Sequence, residues 1–271
     1  MKPARFDYLS AADLAGTLSL LAEGAKPMAG NQSLGPMLNL RLARPGHLAD
    51  IALLPELRAV EETPEAVVLG AAITHAEIED GEVPDPSGGW LRAAAANIAH
   101  RAVRNRGTIG GSLAHADPAA DWPTVLAGLG AAVRLQGPSG TREMPMADFL
   151  TGPFSTALKP DELLTAIILP RPSKGARWGY WKFCRQVGEF AKASAAVLID
   201  PAERGAGLGL RCAVGALGRQ PLLLDDPAAL IEGRTSPMEA LAKALPDRAP
   251  AELTLHVTAL TRALNQAKGE K

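Results

Sequence analysis

The 271-residue chain is 47% hydrophobic and 21% charged, enough apolar material to bury substantial cores in two or three small domains. Its formal net charge of −1 gives no electrostatic basis for holding nucleic acid or an anionic membrane surface, and its two cysteines, Cys184 and Cys212, are too few for an ordinary iron–sulfur cluster. No segment approaches the roughly 18 to 20 apolar residues of a membrane span, and Met1-Lys2-Pro3-Ala4-Arg5 opens onto an amphipathic segment rather than a signal peptide's apolar run, so a cytoplasmic location is expected.

In chain order, a helix is expected first, capped by Ser10 with Asp13 at the capping-box position, Leu14, Leu18 and Leu21 on one face, and Gly24 as its stop. Residues 26–29 read as a short strand that delivers Gly30 and Asn31 to a turn, and residues 33–42 hold a short helix beyond it. In this layout the helix N-terminus adds partial positive charge at the turn. The three-glycine spacing of a dinucleotide fingerprint is absent, so a Rossmann unit is not expected. From about residue 55 the pattern shifts to short strands and turns: a strand at 66–71, a capping box of Thr74 with Glu77, and an alanine-rich helix at 90–100. Asp121-Trp122-Pro123 starts a helix with aspartate at the cap and proline in the first turn. Residues 131–136 and 141–146 flank Gly137-Pro138-Ser139-Gly140 as a hairpin, 163–169 form an apolar strand, and 170–175 form a linker.

The C-terminal stretch reads as three strands alternating with three helices, the strands at 180–183, 194–199 and 208–214. Ser236-Pro237-Met238-Glu239 is a complete helix start. The final helix, 251–266, places Leu253, Val257, Leu260 and Leu264 on one stripe for the core.

Two glycine-centred turns carry the functional signal: Ala29-Gly30-Asn31-Gln32-Ser33-Leu34 and Thr108-Ile109-Gly110-Gly111-Ser112. Each joins bare backbone to small hydroxyl side chains, so that main-chain N–H groups can converge on phosphate oxygens; together they read as a split diphosphate cradle. The second turn follows Arg104-Asn105-Arg106-Gly107 and precedes Ala116-Asp117-Pro118-Ala119-Ala120-Asp121, which crowds cationic, hydroxyl and acidic groups into one segment. The histidines, at 47, 75, 100, 115 and 256, show no metal-ligand spacing, and no serine sits in a nucleophile elbow.

The stretches AGNQSLGPMLNLRLARPGHLAD (29–50) and VRNRGTIGGSLAHADPAAD (103–121), followed by Trp181-Lys182-Phe183-Cys184-Arg185 and Phe190-Ala191, resemble in order and spacing the flavoprotein subunit of the molybdenum hydroxylases, the medium subunits of carbon monoxide dehydrogenase and bacterial xanthine dehydrogenase. The resemblance implies an α+β protein with a two-subdomain FAD-binding fold of the vanillyl-alcohol-oxidase/PCMH type over 1–172, its subdomains about 1–54 and 55–172, and a small α/β C-terminal domain over 176–271. It implies FAD on this chain, with Ala29, Gly30, Asn31, Gln32, Ser33 and Leu34 on one side of the diphosphate and Thr108, Ile109, Gly110, Gly111 and Ser112 on the other. Ile98 and Leu164 match apolar positions lining the cofactor, Lys182 a cation near the flavin ring, and Phe190 a segment facing the isoalloxazine. Asp121 matches a carboxylate near the ribityl chain or pyrophosphate, and the residues allow it to be a helix cap as well.

The chain departs from the pattern at Asn31, where many members have a second glycine, and at Ser112, where many have asparagine. Asparagine tolerates left-handed backbone, so the first turn is expected to survive. The resemblance further implies an iron–sulfur small subunit with two-iron two-sulfur clusters and a large subunit with a molybdenum–pterin cofactor, assembled as a dimer of heterotrimers. This chain's FAD would pass electrons to NAD, a quinone or oxygen. Two other readings stay open: a self-sufficient FAD-dependent reductase of the same broad fold, and a flavin-free assembly scaffold.

Overall fold

The computed structural model describes residues 2–200 and 209–270. Three strands, Asp7–Ser10, Lys26–Met28 and His47–Asp50, form a parallel sheet with His47–Asp50 in the middle. Parallel neighbours need crossovers. The helices Leu14–Ala22 and Leu34–Asn39 lie between the strands in the chain and serve that need. The first helix starts later than the sequence suggests. Ser10 is held in the strand, opposite Asp50, and the cap passes to Asp13, whose carboxylate accepts from the Gly16 amide at 2.7 Å. Gly24, at φ +88°, takes the left-handed turn just after the helix, as its stop position requires.

A five-stranded antiparallel sheet follows, in the spatial order Val60–Glu62, Ala66–Gly70, Leu163–Pro170, Ala132–Gly137, Gly140–Pro145. The expected hairpin is the last pair, closed between Gly137 and Gly140. The helix expected over 90–100 ends earlier, as Trp90–Ala96, and the chain then turns through Ala99 at φ +43°. The Thr74–Glu77 capping box forms on both sides.

The C-terminal part corrects the expected alternation. Arg177–Phe183, Ala193–Ile199, Leu210–Gly215 and Leu222–Leu223 are consecutive strands of one antiparallel meander, and the helices Pro227–Ile231, Pro237–Ala244 and Pro250–Lys268 come after it. Leu208, the expected start of the third strand, lies outside the described residues.

Packing explains the composition of these strands. Alternate residues of a strand point to opposite faces. Ala196, Leu198 and Ala213 join a core that runs through the wholly buried helix Asp121–Leu129 to Val67, Leu69, Val133 and Ile167 of the five-stranded sheet. Ala193, Ala195, Val197 and Ile199 face the other way, onto Leu253, Leu260 and Leu264 of the last helix. The helix 121–129 lies so close to the meander that a Cβ on Gly215 would sit 1.8 Å from Thr124 Oγ1, and one on Gly128 2.9 Å from the Ala196 methyl. That closeness is why alanine and glycine recur there.

Candidate functional site

The first glycine turn leaves the strand Lys26–Met28 and enters the helix Leu34–Asn39. The five successive amides of residues 30–34 find no hydrogen-bond partner among the described residues; the one bond formed within the turn is from Gln32 Nε2 to the Gly30 carbonyl at 3.1 Å. Asn31 adopts φ +59°, the left-handed state that bends successive N–H groups toward one point, and its buried Oδ1 also lacks a partner. Unpaired amides are costly unless something accepts from them. A run of free N–H groups at a left-handed residue is an anion cradle.

The second turn is built differently. Thr108 caps the helix Ile109–His115, its Oγ1 accepting from the Gly111 amide at 3.0 Å. Ile109 N donates to Ile73 O at 3.0 Å, Gly110 N to Ala71 O at 2.9 Å, and Ser112 N to Thr108 O at 3.0 Å. These amides are spent on the chain itself. The run of free amides therefore comes from residues 30–34, and the second turn offers the half-buried Ser112 hydroxyl and, at the exposed Gly111, backbone that carries no side chain. Gly110 is small for packing, since a Cβ there would fall 2.5 Å from the Ala71 methyl.

The structure brings the two turns together. A Cβ on Gly30 would stand 1.7 Å from the Arg106 carbonyl oxygen, so the missing side chain of the first turn is what lets the approach to the second turn lie against it. Gly30→Ala is accordingly expected to push the two segments apart and to cost at least the roughly 1–3 kcal/mol of an overpacked site. Gly111→Ala meets only Thr108 Oγ1, at 2.8 Å, and should melt closer to the parent. Calorimetry of both variants checks this; equal melting temperatures would refute the packing role of Gly30.

Asp121 does not cap its helix. Ala120 holds that position, and the Asp121 carboxylate, 4% exposed, is taken by two residues of the C-terminal meander. Lys182 Nζ donates to Oδ2 at 3.0 Å and the Tyr180 hydroxyl donates to Oδ1. Lys182 is itself only 5% exposed and also donates to the Asn97 carbonyl at 3.0 Å. Burial pushes the Asp121 carboxyl above the usual range, opposed by the Lys182 charge, and burial beside Asp121 raises the Tyr180 phenol well above its own. Asp121 and Lys182 thus neutralise each other.

The remaining expected residues sit on other segments. Ile98 is half-buried against the main core, Leu164 is buried in the strand Leu163–Pro170, and Ile109 is fully buried beneath the second turn. Ala29 packs on a small core with Leu21 and Leu57, and Leu34 on another with Met28 and Leu38. Phe190 is 58% exposed, beside a shallow hollow lined by Arg185, Gly188, Glu189 and Lys192. Sequence reasoning missed Tyr180, Asn97 and His75. Tyr180 and Asn97 meet the site only through tertiary contacts, and His75 lies under the second turn, its ring accepting from Trp122 Nε1 at 3.1 Å.

A diphosphate group fits what residues 30–34 lack: acceptors for consecutive amides, at a place where bare backbone allows close approach. Comparison with known proteins agrees. A family described as the FAD binding domain in molybdopterin dehydrogenase matches residues 4–172. The chain is 39% identical over 208 residues to the alpha subunit of the 6-hydroxypseudooxynicotine dehydrogenase complex of Paenarthrobacter nicotinovorans, covering 76% of this chain and 70% of the relative. It is 35% identical over 253 residues to the carbon monoxide dehydrogenase medium chain of Afipia carboxidovorans, covering 90% and 86%. Among solved structures, carbon monoxide dehydrogenase of Hydrogenophaga pseudoflava superposes with a TM-score of 0.88 at 31% identity over 99% of both chains. The fold and the family match define a flavoprotein. This chain belongs to the FAD-binding subunits of the molybdenum hydroxylases, and FAD is its cofactor.

Proposed function

We propose that this chain is the electron-transfer flavoprotein of a multi-subunit molybdenum hydroxylase. Bound FAD supplies chemistry no side chain here has, accepting electrons from one-electron carriers and delivering them to an external acceptor. The observation that carries the reading is the run of free amides at residues 30–34, which suits a diphosphate and leaves the chain's own groups to bind and orient. Residues 29–34 would hold the diphosphate, with Thr108, Gly111 and Ser112 across from them. Ile98, Leu164 and Phe190 would border the ring system. Asp121 and Lys182 would act on it as a fixed dipole instead of as free charges.

The partners inferred are an iron–sulfur small subunit and a molybdenum-binding large subunit, in a dimer of heterotrimers. Supporting this, relatives carry names such as medium chain, medium subunit and complex subunit. With Cys184 and Cys212 alone, this chain has no cluster of its own and needs a partner to deliver electrons. The division into 1–172, with parts 1–54 and 55–172, and 176–271 is likewise proposed, supported by a family match that ends at 172.

Two measurements test the reading. Protein stripped of flavin should bind FAD and gain about 2.7 kcal/mol of stability at a hundredfold excess over the dissociation constant, seen as a higher melting temperature. Co-expressed with its genomic neighbours, the chain should elute in one complex by size exclusion with light scattering. Turnover by the isolated chain would instead mark a self-sufficient reductase.

A further inference from the structure

Between the helices Trp90–Ala96 and Arg101–Arg104, three successive carbonyls are each taken by a cation. Lys182 Nζ donates to Asn97 O at 3.0 Å, and Arg104 Nη1 donates to Ile98 O at 3.0 Å and to Ala99 O at 3.2 Å. Each cation is anchored behind. Lys182 is held by Asp121, and Arg104 makes a two-pronged pair with Glu79, Nε to Oε2 at 2.7 Å and Nη2 to Oε1 at 2.9 Å. The segment they grip is strained, since Ala99 carries a Cβ at φ +43°, a state that persists only where its surroundings impose it.

Arg101 supplies an internal comparison. It pairs with the same Glu79 at 2.9 Å and also with Asp80, yet its side chain is 49% exposed and it bonds to none of the three carbonyls. Charge pairing with the helix His75–Asp80 is common to both arginines. Capture of the carbonyls belongs to Arg104 alone of the two.

We propose that Arg104 is a positioning residue of the flavin site: it fixes the backbone of residues 97–99, so that Ile98 and the Lys182–Asp121 pair keep a single geometry. It acts through that segment and not on the reacting atoms. The inference rests on the FAD reading above and goes beyond it in naming the device that preorganises the pocket wall.

The test is FAD titration of the full chain after removal of bound flavin, with the fluorescence of the bound flavin and the melting temperature of the flavin-free protein read alongside. Arg104→Met should raise the FAD dissociation constant roughly tenfold and brighten bound-flavin fluorescence as the wall loosens. Arg101→Met should change neither. Arg104→Lys, which keeps the charge opposite Glu79 but cannot span two carbonyls and a carboxylate together, should fall between them. It also decides the matter if Arg104→Met does not fold: FAD affinity and fluorescence equal to the parent's would overturn the proposal. So would equal effects of Arg104→Met and Arg101→Met, or a lower melting temperature for Arg104→Met with flavin binding unchanged. Parent protein that takes up no FAD at all would overturn the cofactor reading together with this one.

Discussion

Lys182→Met should destabilise the protein by about 3–5 kcal/mol, and Asp121→Asn in the same chain should restore much of the loss. Asp121 is buried with one strong acceptor site facing Lys182 and the other facing Tyr180. Removing the lysine leaves a carboxylate with no counter-charge within bonding reach, in a place where burial already raises its pKa. The group then takes up a proton or the fold opens. Asparagine removes the charge while keeping an oxygen for the Tyr180 hydroxyl, so the double variant avoids an isolated buried ion. Urea unfolding of the parent, both single variants and the double variant gives the coupling directly, and purely additive costs would show that the pair is not the reason for the loss.

The same variant has a signed pH dependence. A carboxyl whose folded-state pKa lies above its unfolded value contributes stability that is fully present below the unfolded pKa and lost as the pH rises through the folded pKa. With Lys182 gone this effect is larger, so Lys182→Met should suffer least near pH 4 and most at neutral pH. The pair also ties the meander to the helix Asp121–Leu129, beside the amide of Ala191, which bonds to the Ala119 carbonyl at 3.3 Å. Loosening it should therefore raise proteolytic sensitivity around residues 184–191.

Local chemistry was legible in the chain and long-range chemistry was not. Thr74 with Glu77 and Ser236 with Glu239 form capping boxes because both partners lie within one helical turn, and the left-handed Asn31 follows from what asparagine tolerates. Asp121 looked like a cap for the same local reason. Its true partners lie 59 and 61 residues away, and nothing in the spacing of Tyr180 and Lys182 announces them. The strand Asp7–Ser10 escaped notice because Asp-Tyr-Leu-Ser is polar and mostly exposed, and its pairing with His47–Asp50 is what moved the helix start to Asp13. The C-terminal strand at 194–199 was legible but the alternation was not, because the order of elements is set by packing, with residues 121–129 covering one face of that strand and 250–268 the other. By sequence the glycines are room for a phosphate. Gly30 and Gly110 are first of all room for the chain's own backbone and its neighbouring methyl group.

Acidification from pH 7 to pH 4 should cost this protein on the order of 3 kcal/mol through His75 alone. The ring is buried, and burial, reinforced by the nearby Arg104 charge, lowers its pKa from 6.5 to about 3. A base depressed in the folded state contributes stability that is fully present above its unfolded pKa and lost as the pH falls toward the folded value, which sets the window between about 6.5 and 3. Protonation also puts an N–H on Nδ1, the atom that accepts from Trp122 Nε1 at 3.1 Å, and so turns a buried hydrogen bond into two opposed donors. Carboxylates also take up protons in acid, Glu162 below this window because Arg142 holds it down to about 2, so the isolating comparison is His75→Gln, which keeps an acceptor for the indole and cannot be charged. At neutral pH the variant should be the weaker of the two because of repacking, and the gap should close or reverse by pH 4. The ring lies against Gly107, where a Cβ would meet it at 2.9 Å, and the His75 amide donates to the Gly107 carbonyl at 2.9 Å, so charging it disturbs the base of the second glycine turn. FAD release by acid should therefore begin at a higher pH in the parent than in His75→Gln. Parallel stability profiles and identical release midpoints would show that the buried imidazole is not what limits this protein in acid.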